Sequence, residues 1–270
     1  MAGTGKYFMV EFTPKIKGSE QHIGPYSVGD VLWSMDTLNQ IQIPSGPARL
    51  IGATALIRPQ GDSRPTPNNF GLDLVFSTEK RSESLHGGAV DGDPSNSTAF
   101  SVSPNNDVVG SIRLAAGDHV ATSLSACTSI VSTGDKPGNI VLNRGPGAMT
   151  TSADKKTGYD TYYIGGIANG AFDFTSRVQV NETGFSAGTQ TVITLDGGSK
   201  ELTQIVTVDA RELFLPDDFL VAHDDADLGL ISTVDSATQV TLAAANPHAI
   251  ADNDFIYTKH PIRIKLFFER

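Results

Sequence analysis

His260-Pro-Ile-Arg-Ile-Lys-Leu-Phe-Phe-Glu-Arg270 alternates side chain by side chain: Ile262, Ile264 and Leu266 fall on one face of an extended chain, Arg263 and Lys265 on the other. A segment of the same character stands at the opposite end, Tyr7-Phe-Met-Val-Glu-Phe12, where Phe8, Val10 and Phe12 share a face. Chain termini often lie close together in a domain, and terminal strands stay ordered when a sheet holds them. The two segments are therefore expected in one layer. The fold class that follows is all-β: a β-sandwich (jelly-roll-like) of residues 1–168 plus 259–270, with a second, small β-barrel of residues 169–258 inserted near the C-terminal strand. Two consecutive β domains are the alternative arrangement, and edge strands carrying Arg and Lys fit either.

Between these ends the chain is turn-rich. Ile41 and Ile43 alternate with Gln40 and Gln42 at the close of the stretch 30–43. Pro44-Ser-Gly-Pro47 then punctuates it before a strand over 49–58, because proline removes a ladder donor and glycine frees φ. Leu72, Leu74 and Phe76 point one way in a strand over 70–77. Further strands are expected at 99–103, 108–114, 119–131, 139–143 and 159–167. The polar stretches 59–69 and 78–98 are long for loops of a compact domain. From 170 onward short β patterns follow quickly, at 171–180, 189–195, 203–208, 219–222, 228–234 and 239–242. Asp196-Gly-Gly-Ser199 has the residues of a hairpin turn, and 234–240 reads as two strands across another. Leu215-Pro-Asp-Asp-Phe-Leu-Val is echoed by Ile250-Ala-Asp-Asn-Asp-Phe-Ile-Tyr, acidic turn residues before an apolar strand start.

Composition agrees. Of 270 residues, 39% are hydrophobic and only 19% charged, with 27 Gly and 14 Pro. A shortage of long charged side chains disfavours exposed helix faces and suits short strands joined by turns. The 30 acidic and 20 basic side chains give a net charge of −10. Nucleic acid is not an expected partner, because phosphate binding needs a basic surface that releases counterions. No apolar run approaches the roughly 18 residues of a bilayer crossing, so no membrane partner is expected. The start, Met1 to Val10, lacks a basic segment followed by an apolar core, so no secretory signal is expected. The single cysteine, Cys127, forbids an internal disulfide and sits in an apolar segment as a small core residue.

Catalytic patterns are scarce. The histidines His22, His86, His119, His223, His248 and His260 are not spaced as helical metal ligands. No G-x-S-x-G occurs, and Gly145-Pro-Gly147 has proline where a phosphate cradle needs an N–H. Asp224, Asp225 and Asp227, with Asp217 and Asp218 nearby, form a weak Ca²⁺ candidate, since acids around a turn offer oxygen ligands. Counted from Asp225, the fifth position is Gly229 and the twelfth Ser236, which departs from the calcium loop and favours a solvated acidic hairpin. No enzyme activity and no cofactor are expected.

Three stretches carry a resemblance: Gly29-Asp-Val-Leu-Trp33, Ile41-Gln-Ile-Pro-Ser-Gly-Pro-Ala-Arg-Leu-Ile51 and Asn68-Asn-Phe-Gly-Leu-Asp-Leu-Val-Phe76. They resemble virion structural proteins of tailed bacteriophages, and Gly229 to Ala245 resembles small β-barrel modules of phage particle proteins. The resemblance implies a capsid decoration or minor capsid protein that docks on the major capsid protein lattice and other virion proteins. It implies a homo-oligomer, with a trimer suiting a threefold lattice position, located in the virion after assembly in the host cytoplasm. The alternative is a tail, baseplate or fibre-associated structural or glycan-binding protein. Acidic character suits the outside of a shell, away from packaged DNA. The stretches 59–69 and 78–98 are candidate contact arms.

Overall fold

In the computed structural model the described residues are 6–14, 26–33, 35, 39–58, 68–78, 108–121, 129–133, 140–142, 159–171, 177–179, 187–188, 190–195, 199–201, 204–206, 209–222, 226–252, 254–259 and 261–270. They form an all-β molecule: a sandwich of two antiparallel sheets, a curled, half-barrel sheet of six strands and a two-stranded sheet.

Ten of the eleven sandwich strands are β1 (Tyr7–Phe12), β2 (Val31–Trp33), β3 (Gln40–Pro44), β4 (Ala48–Ile57), β5 (Gly71–Ser77), β6 (Val108–Leu114), β7 (His119–Ala121), β8 (Ser129–Ser132), β9 (Ile140–Leu142) and β10 (Tyr159–Asn169). After β10 come β11 (Arg177–Gln179), β12 (Val192–Thr194), β13 (Ser199–Glu201), β14 (Gln204–Val206), helix α1 (Ala210–Leu213), β15 (Phe219–Ala222), β16 (Asp227–Ser236), β17 (Gln239–Leu242), β18 (Phe255–Thr258) and β19 (Ile262–Glu269).

The first sheet runs β1-β19-β4-β8-β7, with β9 also on β4. The last strand thus lies between the first strand and β4, in register Phe8↔Phe268, Val10↔Leu266 and Phe12↔Ile264 on one side and Ile264↔Ala55 and Leu266↔Ala53 on the other. The alternation in 262–268 explains this position. Ile262, Ile264, Leu266 and Phe268 are all buried, and each full burial stabilises the fold by about 1.5–3 kcal/mol. The small residues Ala53 and Ala55 opposite them leave room for the facing sheet.

That second sheet runs β2-β10-β5-β6, with β3 beside β2 on β10. Leu72, Leu74, Phe76, Ile41, Ile43, Tyr162 and Ile164 meet the first sheet in one hydrophobic cluster. Trp33 is fully buried and lies flat over Gly166, its neighbour in register. A Cβ on Gly166 would come within 2.4 Å of the indole Cζ2, so only glycine fits.

A separate hydrophobic cluster includes Leu213, Phe214, Leu220, Leu228, Ile231, Val240 and Ile256. It fills the curled sheet β11-β18-β15-β16-β17-β12, whose strands all precede β19 in the chain. Val221 of β15 belongs instead to the sandwich cluster, with Phe219 packed against it.

Two local expectations are corrected. Residues 119–131 are not one strand: β7 and β8 fold back on each other, with Val120 opposite Ile130. Nor is there a hairpin across Asp196-Gly-Gly-Ser199: of the strands on either side, β12 pairs with β17 and β13 with β14. The turn between β16 and β17 does join a hairpin. The strand expected at 99–103 and Cys127 lie outside the described residues. So do the loop stretches 59–67 and 79–98.

Candidate functional site

Three strand entries are built alike. Ser27 N–H donates to Asp30 Oδ2 (2.7 Å), Leu215 N–H to Asp218 Oδ2 (2.8 Å) and Ala251 N–H to Asp254 Oδ2 (2.8 Å). In each the aspartate's own N–H closes the turn by donating to the carbonyl three residues back. The third turn position needs positive φ, supplied by Gly29 at 96° and by Asp217 at 68°. The sequence echo at Asp218 and Asp254 is therefore a real shared turn, and Asp30 is a third copy that the sequence reading missed. β15 and β18, which follow two of these turns, pair with each other.

Asp218 does more than cap. Its carboxylate, 1% exposed, pairs with the Arg58 guanidinium, 6% exposed, at the end of β4. Arg263 of β19 donates to Asp217 O (2.6 Å) and lies 3.5 Å from Asp218 Oδ1. Arg58 N–H also donates to Pro261 O (2.9 Å). Two arginines of the first sheet thus hold the acidic turn that opens β15.

This geometry bears on the cation candidate. Asp227 pairs with the Lys259 ammonium, and Asp218 is committed to its turn and to arginine. Asp224 and Asp225 lie outside the described residues, as do His22, His86, His223 and His260. Among the described residues no group of three or more His, Cys, Asp or Glu side chains could hold a metal ion. His119 is half-buried, and its ring Nε2–H donates to Phe70 O (2.8 Å). Burial pushes its pKa below the ordinary histidine value, outweighing this bond and the nearby Asp118.

The feature that stands out is the outer face of the first sheet. Its rows follow from the register. Tyr7, Glu269, Arg49 and Val141 form one; Met9, Phe267 and Gly52 the next; Glu11, Lys265, Thr54 and Ser132 the third. Tyr7 is 71% exposed, Met9 50%, Phe267 37% and Val141 62%. Single exposed apolar residues are ordinary, but a contiguous group marks an interaction surface. Tyr7, Met9 and Phe267 are contiguous: Tyr7 and Met9 sit two apart on β1, and Met9 is directly opposite Phe267.

Polar groups frame this group. Arg49 pairs with Glu269, which also accepts from Tyr7 OH (3.3 Å), and the arginine holds the Glu269 carboxyl below the usual carboxylate range. Beside that row a cleft is lined by Pro47, Ala48, Arg49, Val141, Glu269 and Arg270. Arg270 donates to the carbonyls of Pro44 and Ser45 and lies over the Phe8 ring, 5.8 Å from its centroid. The sequence reading placed Arg263 and Lys265 on this face but missed its apolar members; the adjacent Phe267-Phe268 was the signal, since alternation then puts one phenylalanine outside.

No protein-family model matches the chain, and no curated protein matches it. No described helix is long and apolar enough to cross a membrane.

Proposed function

We propose that this chain is a structural protein of a tailed-bacteriophage particle, a capsid decoration or minor capsid protein that docks on the major capsid lattice and stabilises it. The observation that carries this reading is the exposed apolar group Tyr7, Met9 and Phe267 on a sheet whose other face packs into the sandwich core. Such a surface is stiff and offers adhesion without a moving part. In this reading residues 1–168 and 259–270 form the docking block and 169–258 an inserted module. The sequence resemblance supplies the particle context, and the physical character of the face supplies the role.

The test is the content of purified particles, by quantitative mass spectrometry together with image reconstruction. A copy number near that of the capsid lattice, with density on the shell, is the expected result. Six or twelve copies would move the protein to the tail or baseplate, and absence from particles would overturn the proposal.

A further inference from the structure

The net charge is distributed unevenly. Residues 169–258 contain 14 acidic and 3 basic side chains, a net of −11, whereas the rest of the chain contains 17 basic and 16 acidic ones. The outer face of the first sheet lies in that balanced remainder and is locally basic. Lys6, Arg49, Lys265 and Arg270 are exposed on or beside it, against Glu11 and the partly exposed Glu269. The chain therefore carries a basic apolar face and an acidic segment that complements it.

We infer that the outer face of the first sheet docks a second copy of this chain, face to face, about a twofold axis that crosses the strands at the Met9–Phe267 row. The charge rows select this axis. Turning one copy about it sets the Tyr7–Glu269–Arg49 row of each molecule over the Glu11–Lys265–Thr54 row of the other. Glu269 then faces Lys265 of the second copy, twice, and Tyr7 OH faces Glu11. Phe267 and Met9 stack on their own equivalents at the centre. A twofold axis along the strands would instead oppose Glu269 to Glu269 and Lys265 to Lys265, which costs energy. The chosen axis also runs the two copies' strands in opposite directions. Arg263 ties the acidic turn of residues 217–218 to the far end of this face.

Size sets the strength. Four strands about 4.8 Å apart and some seven residues at about 3.3 Å each give a footprint of roughly 20 by 23 Å. That is roughly 460 Å² a side, below the usual size of stable interfaces, so a weak and reversible pair is expected. One face cannot hold a second copy and the capsid lattice at once, so the dimer is the form of the protein off the particle; it is measured on the isolated protein, and each contact can fail without the other.

The test is sedimentation equilibrium of the purified full chain over a concentration series at low and high salt. The expected result is a reversible monomer–dimer equilibrium that weakens at high salt. Phe267→Glu should abolish it, while Leu230→Glu, an exposed apolar position on β16, should leave it intact. Glu269→Lys and Lys265→Glu should each weaken dimerisation at least tenfold, and the double swap should restore it. Circular dichroism shows that each variant is folded. A monomer at every concentration, a trimer, a dimer that survives Phe267→Glu, or a double swap no better than the singles would each overturn the inference.

Discussion

Asp218 and Arg58 are 160 positions apart in sequence, and their side chains are 1% and 6% exposed. Replacing Arg58 with Met removes the main partner of a buried carboxylate. Arg263, at 3.5 Å and one-third exposed, replaces only part of that interaction, and the Leu215 N–H supplies a single neutral donor. Breaking a buried pair from one side costs about 3–5 kcal/mol, because the remaining charge has lost its water and its partner together. Asp218→Asn keeps an oxygen for the Leu215 N–H, so the turn survives, yet it leaves the guanidinium buried beside a neutral amide. Each single variant should therefore lose about 3 kcal/mol or more, and the double variant clearly less than the sum.

Urea titration of the four proteins measures this, followed by fluorescence of Trp33, the only tryptophan, which lies in the sandwich core. A non-additivity of at least about 1.5 kcal/mol is expected. Singles that cost under about 1 kcal/mol, or costs that simply add, would show that the junction does not hold the acidic turn in place and that the reasoning fails.

Three further outcomes follow from single positions. Ile264→Asp puts an unpaired carboxylate between β1 and β4, where the native side chain is fully buried; a loss of about 4 kcal/mol or more is expected, and a near-native urea midpoint would refute the packing. Gly166→Ala forces the Trp33 ring to move, with an expected cost of about 1–3 kcal/mol and a shift in indole emission; an unchanged melting temperature and spectrum would contradict the contact. His119 has a depressed pKa in the folded state, so the unfolded chain takes up its proton at higher pH. Its contribution is fully present above the ordinary value of 6.5 and is lost as pH falls from there through the lower folded value. The drop in urea midpoint between about pH 8 and about pH 5.5 should shrink in His119→Gln, and an equal drop in both proteins would refute the assignment.

The parts of the fold legible in the sequence are those where one face is buried and one is not. β1 and β19 alternate because each has a core side and an outer side. β5 shows only half of its burial: Val75, assigned outward by alternation, is buried in a second small cluster with Met35 and Ile167. The β7–β8 hairpin is hidden because residues 122–128 contain no Gly, Pro, Asn or Asp, and so give no turn signal. Asp196-Gly-Gly shows the converse, since turn chemistry says that the chain reverses but not which strands pair. The aspartate turns were half legible; what identifies them is an acid immediately before an apolar strand start, after a residue suited to positive φ. The Arg58–Asp218 junction was not legible, because the turn pattern marks Asp218 only as a cap and nothing near either residue says that the two, 160 positions apart, meet.

The placement of nearly all of residues 169–258 between β10 and β19 is physically inexpensive for a reason that the core makes plain. The sandwich needs β19 between β1 and β4, and the chain must return to it from β10 by some connection. Closing a loop of about 90 residues rather than about 10 costs only about 2 kcal/mol more, because loop entropy grows with the logarithm of length. The inserted residues offset that cost directly. Val221 enters the sandwich core, Phe219 packs against it, and the Asp218 turn satisfies Arg58 at the end of β4. They also bring a hydrophobic cluster of their own, so their order does not depend on the sandwich alone. Their charge of −11 repels itself and is best tolerated next to cations. Arg58, Lys259 and Arg263 stand at that junction.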